Sequence, residues 1–162
     1  MERIDKTNYY LDIATAVTER STCLRRRFGC IIVKNDEIIA TGYNGAPRGR
    51  KNCDELKKCM RDELNIPRGE RYEMCRSVHA EPNALMSAGR TKTIDATMYL
   101  ACINPKTKKL EPGVTSCLMC KRLLINAGIK ELIVKEPGNK HTIYKVEDWI
   151  KDDESLKGEF GY

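Results

Sequence analysis

Long apolar runs are missing from this 162-residue chain, and no stretch approaches the roughly 20 residues that a membrane-crossing helix requires. The polar opening Met1-Glu2-Arg3-Ile4-Asp5-Lys6 also lacks the apolar centre of a secretory signal, so the protein is expected in the cytoplasm. Aromatic residues are scarce, at 6%, and do not interleave with basic ones as they would on a surface that stacks nucleobases. The net charge of +6, spread along the chain, therefore reads as suited to a small anionic substrate and speaks against nucleic acid as a partner. Internal repeats and low-complexity segments are absent too. At this length, with 41% hydrophobic and 32% charged residues, the sequence reads as one globular domain over 1–162.

Cysteine, by contrast, is plentiful. Eight cysteines would indicate disulfides in a secreted chain; under reducing conditions the same number points to metal binding. Two of them, Cys117 and Cys120, stand three residues apart where a helical pattern over 117–127 begins. Upstream, His79 and Glu81 flank Ala80 at the start of another helical pattern, with Gly89 near its C-cap. His-x-Glu followed by Cys-x-x-Cys is the set used by zinc deaminases of nucleobases: one histidine and two thiolates hold the metal, a fourth position stays open, and the glutamate is a base that does not bind it. Either half alone would be weak, since Cys-x-x-Cys also occurs as a redox pair or a structural zinc knuckle. The combination, with each half at a helix start whose dipole favours thiolates, favours a catalytic zinc at His79, Cys117 and Cys120 over a structural metal.

Over about residues 9–134 the sequence resembles the cytidine and deoxycytidylate deaminases, and within them the deoxycytidylate (dCMP) branch. The resemblance rests on Arg27-Phe28-Gly29-Cys30-Ile31-Ile32-Val33, on Gly42-Tyr43-Asn44-Gly45-Ala46-Pro47-Arg48-Gly49, and on the His79 and Cys117 blocks. It implies an α/β fold of three α/β/α layers around a central mixed five-stranded sheet. It also implies hydrolytic deamination of dCMP to dUMP and ammonia, with Glu81 as the catalytic proton carrier and no organic cofactor. By the same resemblance Asn44 contacts the sugar, Arg25 grips the 5′-phosphate, and the loop of Gly42, Tyr43, Asn44 and Gly45 helps to bind a dCTP or dTTP effector. A homo-oligomer, a hexamer in the family, is implied as well. The bland alternatives are that Arg25-Arg26-Arg27 is a solvated charge run and that the glycines merely end a strand. Rival functions are the same chemistry on dCTP, deoxycytidine or another base, or a non-catalytic zinc-stabilised nucleotide- or DNA-binding module. Glu81 argues against the module, because a structural zinc has no use for a base beside an open position.

Along the chain, periodicity predicts a helix over 9–18, a hairpin of strands 28–33 and 37–42 turning at Asn35-Asp36, and a helix over 82–88. Strands over 96–102 and 131–135 follow, and Val146, Trp149 and Ile150 suit a short amphipathic helix before a charged, fraying tail over 151–162. His141 reads as a surface residue. Residues 51–76 form a polar insertion with little to pack. Cys53, Cys59 and Cys75 within it, joined by Cys23, are candidate ligands of a second, structural zinc, against the alternative of small buried thiols. Residues 104–113 look like a further insertion, either a hairpin tip or a flap. One departure from the family pattern stands out. Proline usually precedes the first cysteine of the pair; here Ser116 does, a residue suited to capping a helix.

Overall fold

The computed structural model describes residues 1–152. In chain order these form α1 (Lys6–Val17), β1 (Arg27–Lys34), β2 (Glu37–Tyr43), α2 (Cys53–Leu56), α3 (Met60–Glu63), α4 (Ala80–Ala88), α5 (Arg90–Thr93), β3 (Thr97–Ile103), α6 (Leu118–Asn126), β4 (Glu131–Glu136), β5 (Lys140–Lys145) and α7 (Val146–Lys151). The strands make one mixed sheet in the order β2-β1-β3-β4-β5; β3 and β4 are parallel and every other neighbouring pair is antiparallel. The parallel pair needs a crossover, and α6 supplies it.

Two apolar layers explain why β1 reads as a continuous apolar run rather than an alternating one. Ile31 and Val33 pack with Tyr10, Leu11 and Ala14 of α1, while Cys30 and Ile32 face Ala80, Ala84 and Leu124 of α4 and α6. Burial on both faces leaves no solvent side to mark with polar residues. Leu11, Ile32 and Leu124 are fully buried, each contributing about 1.5–3 kcal/mol relative to exposure. The start of α1 is capped by Asp5, whose side chain accepts from the Asn8 amide. At the β1–β2 turn Asn35 and Asp36 both have positive φ, the geometry that matches strand twist in a tight hairpin. Asp36 is held there by Tyr10 and Lys6 at 2.6 Å each. On β4, Lys135 pairs with Asp12 of α1.

Gly42 shows what the close approach of α4 demands. A Cβ at this position would lie 2.2 Å from the Ala80 carbonyl oxygen and 2.6 Å from the Ala84 nitrogen, both backbone atoms that cannot step aside. Its missing side chain is therefore a requirement of helix-on-sheet packing rather than of strand termination. Gly42→Ala should lower stability by at least the about 1–3 kcal/mol typical of overpacking, measured by denaturant unfolding. A change below about 0.5 kcal/mol would show that α4 can lift off the sheet without cost.

β5 has no counterpart in the strands read from periodicity. It is an edge strand with exposed and half-buried residues only, His141 among the exposed, and Tyr144 is its one apolar residue on the core, so its pattern carries a weak apolar signal. The polar insertion contains α2, α3 and a single 3-10 turn over Tyr72–Met74. Its fastener, unforeseen from sequence, is Arg61: the buried guanidinium donates to the Pro67 and Glu70 carbonyls at 2.7 and 2.8 Å and lies over the Tyr72 ring at 4.4 Å. Residues 104–113 double back, with Ile103 bridging Leu110, as a hairpin tip would. The end of that segment, at Gly113, borders a cavity that Glu81 also lines. Of the tail expected to fray, residues 153–162 lie outside the described part.

Candidate active site

Two nine-residue helices, α4 and α6, begin beside one another on the same face of the sheet. His79 is the N-cap residue of α4, and Cys117 is that of α6, its sulfur accepting from the Cys120 amide. The thiol, not Ser116, thus caps the second helix. The N-termini bring positive partial charge to the point where the sulfurs sit. His79 Nδ1 is 3.6 Å from Cys117 Sγ and 3.4 Å from Cys120 Sγ. A tetrahedral zinc with Zn–N near 2.05 Å and Zn–S near 2.3 Å separates nitrogen from sulfur by about 3.5–3.6 Å, so both nitrogen–sulfur distances match the edges the ion requires. Among the described residues, these three make the one group of histidine, cysteine or carboxylate side chains whose ligand atoms all lie within 4.8 Å of one another.

The electrostatics of the site agree with that fit. Burial opposes a charge on His79, yet hydrogen bonds to Cys117 and Cys75 and the nearby Glu81 carboxylate push its pKa up to about 10. Cys117 falls to about 4, chiefly through its hydrogen bond with Cys120 and also through His79. The same hydrogen bond, with burial, drives Cys120 upward. The shifts favour a thiolate at Cys117, and a divalent cation held by these three residues would displace the protons shared among them.

Glu81 sits on the second residue of α4, 3% exposed, with its Oε1 accepting from Ser116 Oγ at 2.7 Å. Burial raises its pKa, partly offset by His79 and by the serine hydrogen bond. It faces a cavity of about 380 Å³, within the range of small-molecule sites, whose lining includes Arg25, Arg26, Arg61, Arg68 and Lys121 against the single carboxylate of Glu81.

Asn44 lines this cavity, but most of its side chain is committed: Oδ1 accepts from Ser21 Oγ at 2.5 Å and from the Phe28 amide at 2.9 Å, and Nδ2 donates to the Arg26 carbonyl at 2.9 Å. One Nδ2 hydrogen is left for a ligand. Arg25 also borders the cavity, with Nε 3.2 Å from Asp62 and a buried Nη1 that has no partner. Gly42 is buried under α4, Gly45 exchanges two backbone hydrogen bonds with Val78, and Tyr43 is exposed. Cys23, Cys59 and Cys75 all act on the buried Cys53 thiol, whose pKa rises mainly through burial. These four sulfurs do not meet at ligand spacing as the His79 set does. All eight cysteines are free.

Several cavity residues were not singled out from sequence. Lys121 lies one helical turn after Cys117, so periodicity could have placed it there. Arg68 and Tyr72 come from the insertion, whose irregular backbone carries no such signal. Tyr72 meets the His79 ring edge-on at a centroid distance of 5.1 Å.

A family profile described as the cytidine and deoxycytidylate deaminase zinc-binding region matches residues 4–136. The chain belongs to this family. Among its relatives is the deoxycytidylate deaminase of Schizosaccharomyces pombe, 34% identical over 140 residues that cover 86% of this chain and 38% of that protein. The deoxycytidylate deaminase of Mycobacterium phage D29 is 34% identical over 137 residues, 82% of this chain and 96% of that one. The chain thus spans well under half of the yeast relative it matches and nearly all of the phage one. In fold it is similar to the dCMP deaminase of cyanophage S-TIM5, with a TM-score of 0.56 at 23% identity over 85% of this chain and 89% of the other. The three-layer arrangement and five-stranded sheet are those of this deaminase family, and zinc is its metal.

Proposed function

We propose that the protein is a zinc-dependent hydrolase that deaminates dCMP to dUMP and ammonia. The observation that carries this is a buried carboxylate beside a metal set of three ligands rather than four, opening into a cavity rich in cations. His79, Cys117 and Cys120 would hold the zinc. Zinc so held supplies Lewis acidity that brings the ionisation of water from about 16 to near 7. Glu81 accepts the proton released by the attacking water, passes it to N3 of the cytosine, and assists departure of the amino group as ammonia. Burial raises the Glu81 pKa, the direction that helps a carboxyl give a proton as well as take one.

Arg25 and its cationic neighbours bind the 5′-phosphate, and the free Nδ2 hydrogen of Asn44 meets the sugar. A phosphate contact of this kind is worth on the order of 1.5–3 kcal/mol. Arg25→Ala should raise KM for dCMP by roughly 10- to 100-fold and leave the slower reaction with deoxycytidine nearly unchanged. A panel of deoxycytidine, dCMP and dCTP measures this directly. Equal loss on nucleoside and nucleotide would make Arg25 structural, and turnover of dCTP above dCMP would move the substrate assignment.

The reading extends to a second, structural zinc at Cys23, Cys53, Cys59 and Cys75, supported by the nearness of the other three thiols to Cys53, although closing such a site would need the sulfurs to draw together. It extends also to a cytoplasmic homo-oligomer, a hexamer by resemblance, regulated by dCTP and dTTP through the loop of Gly42 to Gly45. Free cysteines suit that compartment, and no helix among the described residues is long and apolar enough to cross a membrane.

A further inference from the structure

Ser116 stands where the family pattern has proline, and its hydroxyl is spent inside the site. The residue is 2% exposed and donates to Glu81 Oε1 at 2.7 Å. Cys117, the next residue, caps α6 through its own sulfur, so the serine is not needed as a cap. A hydroxyl has a single proton to give, and here it goes to one of the two carboxylate oxygens.

We infer that Ser116 is a positioning residue for the proposed deamination: by holding Oε1 it fixes the plane of the Glu81 carboxyl and leaves Oε2 as the oxygen that carries the proton. The serine hydroxyl is the side-chain donor that the structure places on the Glu81 carboxyl. The inference rests on Glu81 being the proton carrier.

Two measurements test it. In zinc-loaded protein, Ser116→Ala should lower kcat for dCMP by about 10- to 100-fold, the worth of a hydrogen bond to a charged group, with KM within about twofold of wild type. A rise in KM with kcat unchanged, or no change in either, would overturn the role. The second measurement needs no substrate. In a double-mutant cycle on unfolding, Ser116→Ala should raise the unfolding constant at least about tenfold when Glu81 is present and less than about threefold in the Glu81→Ala background. Equal effects in both backgrounds would show that the hydroxyl does not act through Glu81. If the wild type turned over no cytosine nucleotide the proposed function would fall, a result on which the cycle does not depend.

Discussion

Glu81→Gln should leave a folded, zinc-loaded protein that has lost about 10²- to 10⁴-fold or more in turnover. Glutamine has the same shape and still accepts the Ser116 hydrogen bond, but it cannot take up a proton from water and return it to the base. Zinc content should stay near that of the wild type, because the carboxylate is outside the ligand set. Stability should respond in the opposite direction from activity. Burial raises the Glu81 pKa above its ordinary value, so in the metal-free protein the folded state holds this proton more tightly than the unfolded chain does. Such a group costs nothing at low pH and becomes destabilising as pH rises above the unfolded carboxylate value of about 4.3. Metal-free Glu81→Gln should therefore be more stable than metal-free wild type at pH 7, with the difference closing toward pH 4. Turnover within tenfold of wild type would remove Glu81 from the proton-carrying role.

His79→Ala should abolish turnover by a different route, through loss of the metal itself. Removing one of three ligands leaves two sulfurs, and the imidazolium that helps to keep Cys117 ionised disappears with it. The expected readout is stoichiometric. If Cys23, Cys53, Cys59 and Cys75 share a second ion, wild type holds about two zinc ions per chain. His79→Ala then keeps one and is inactive, whereas Cys59→Ser keeps one, remains active and unfolds more readily. A wild-type content of one zinc, wholly lost in His79→Ala, would rule out the second site and leave the four thiols as ordinary neighbours. Retention of the full metal content by His79→Ala would sink the assignment of the ligand set.

The cluster of His79, Cys117 and Cys120 with Glu81 beside it was legible in the chain because its signals are local. His79 and Glu81 must share one helix start, and Cys117 and Cys120 another, so short fixed spacings carry the chemistry before any folding is considered. Periodicity also gave α1, β1 to β4, α6 and α7, since each buries at least one apolar face. It missed β5, where only half-buried Thr142 and Tyr144 alternate with exposed residues, so the apolar signal is weak. It missed Arg61 as well, because a cation is not expected to anchor a segment until two carbonyls and a tyrosine ring are seen to surround it.

By itself the sequence determined which atoms are able to bind zinc and which carboxylate is able to move a proton, because residue type and spacing decide donor chemistry. Only the tertiary structure decided that Gly42 is glycine to admit α4, that Arg25, Arg61, Arg68 and Lys121 share one cavity, and that the Ser116 hydroxyl reaches Glu81 from 35 positions away. Those are contacts between segments far apart along the chain, set by how two helices dock on one face of the sheet, and no local pattern encodes that distance.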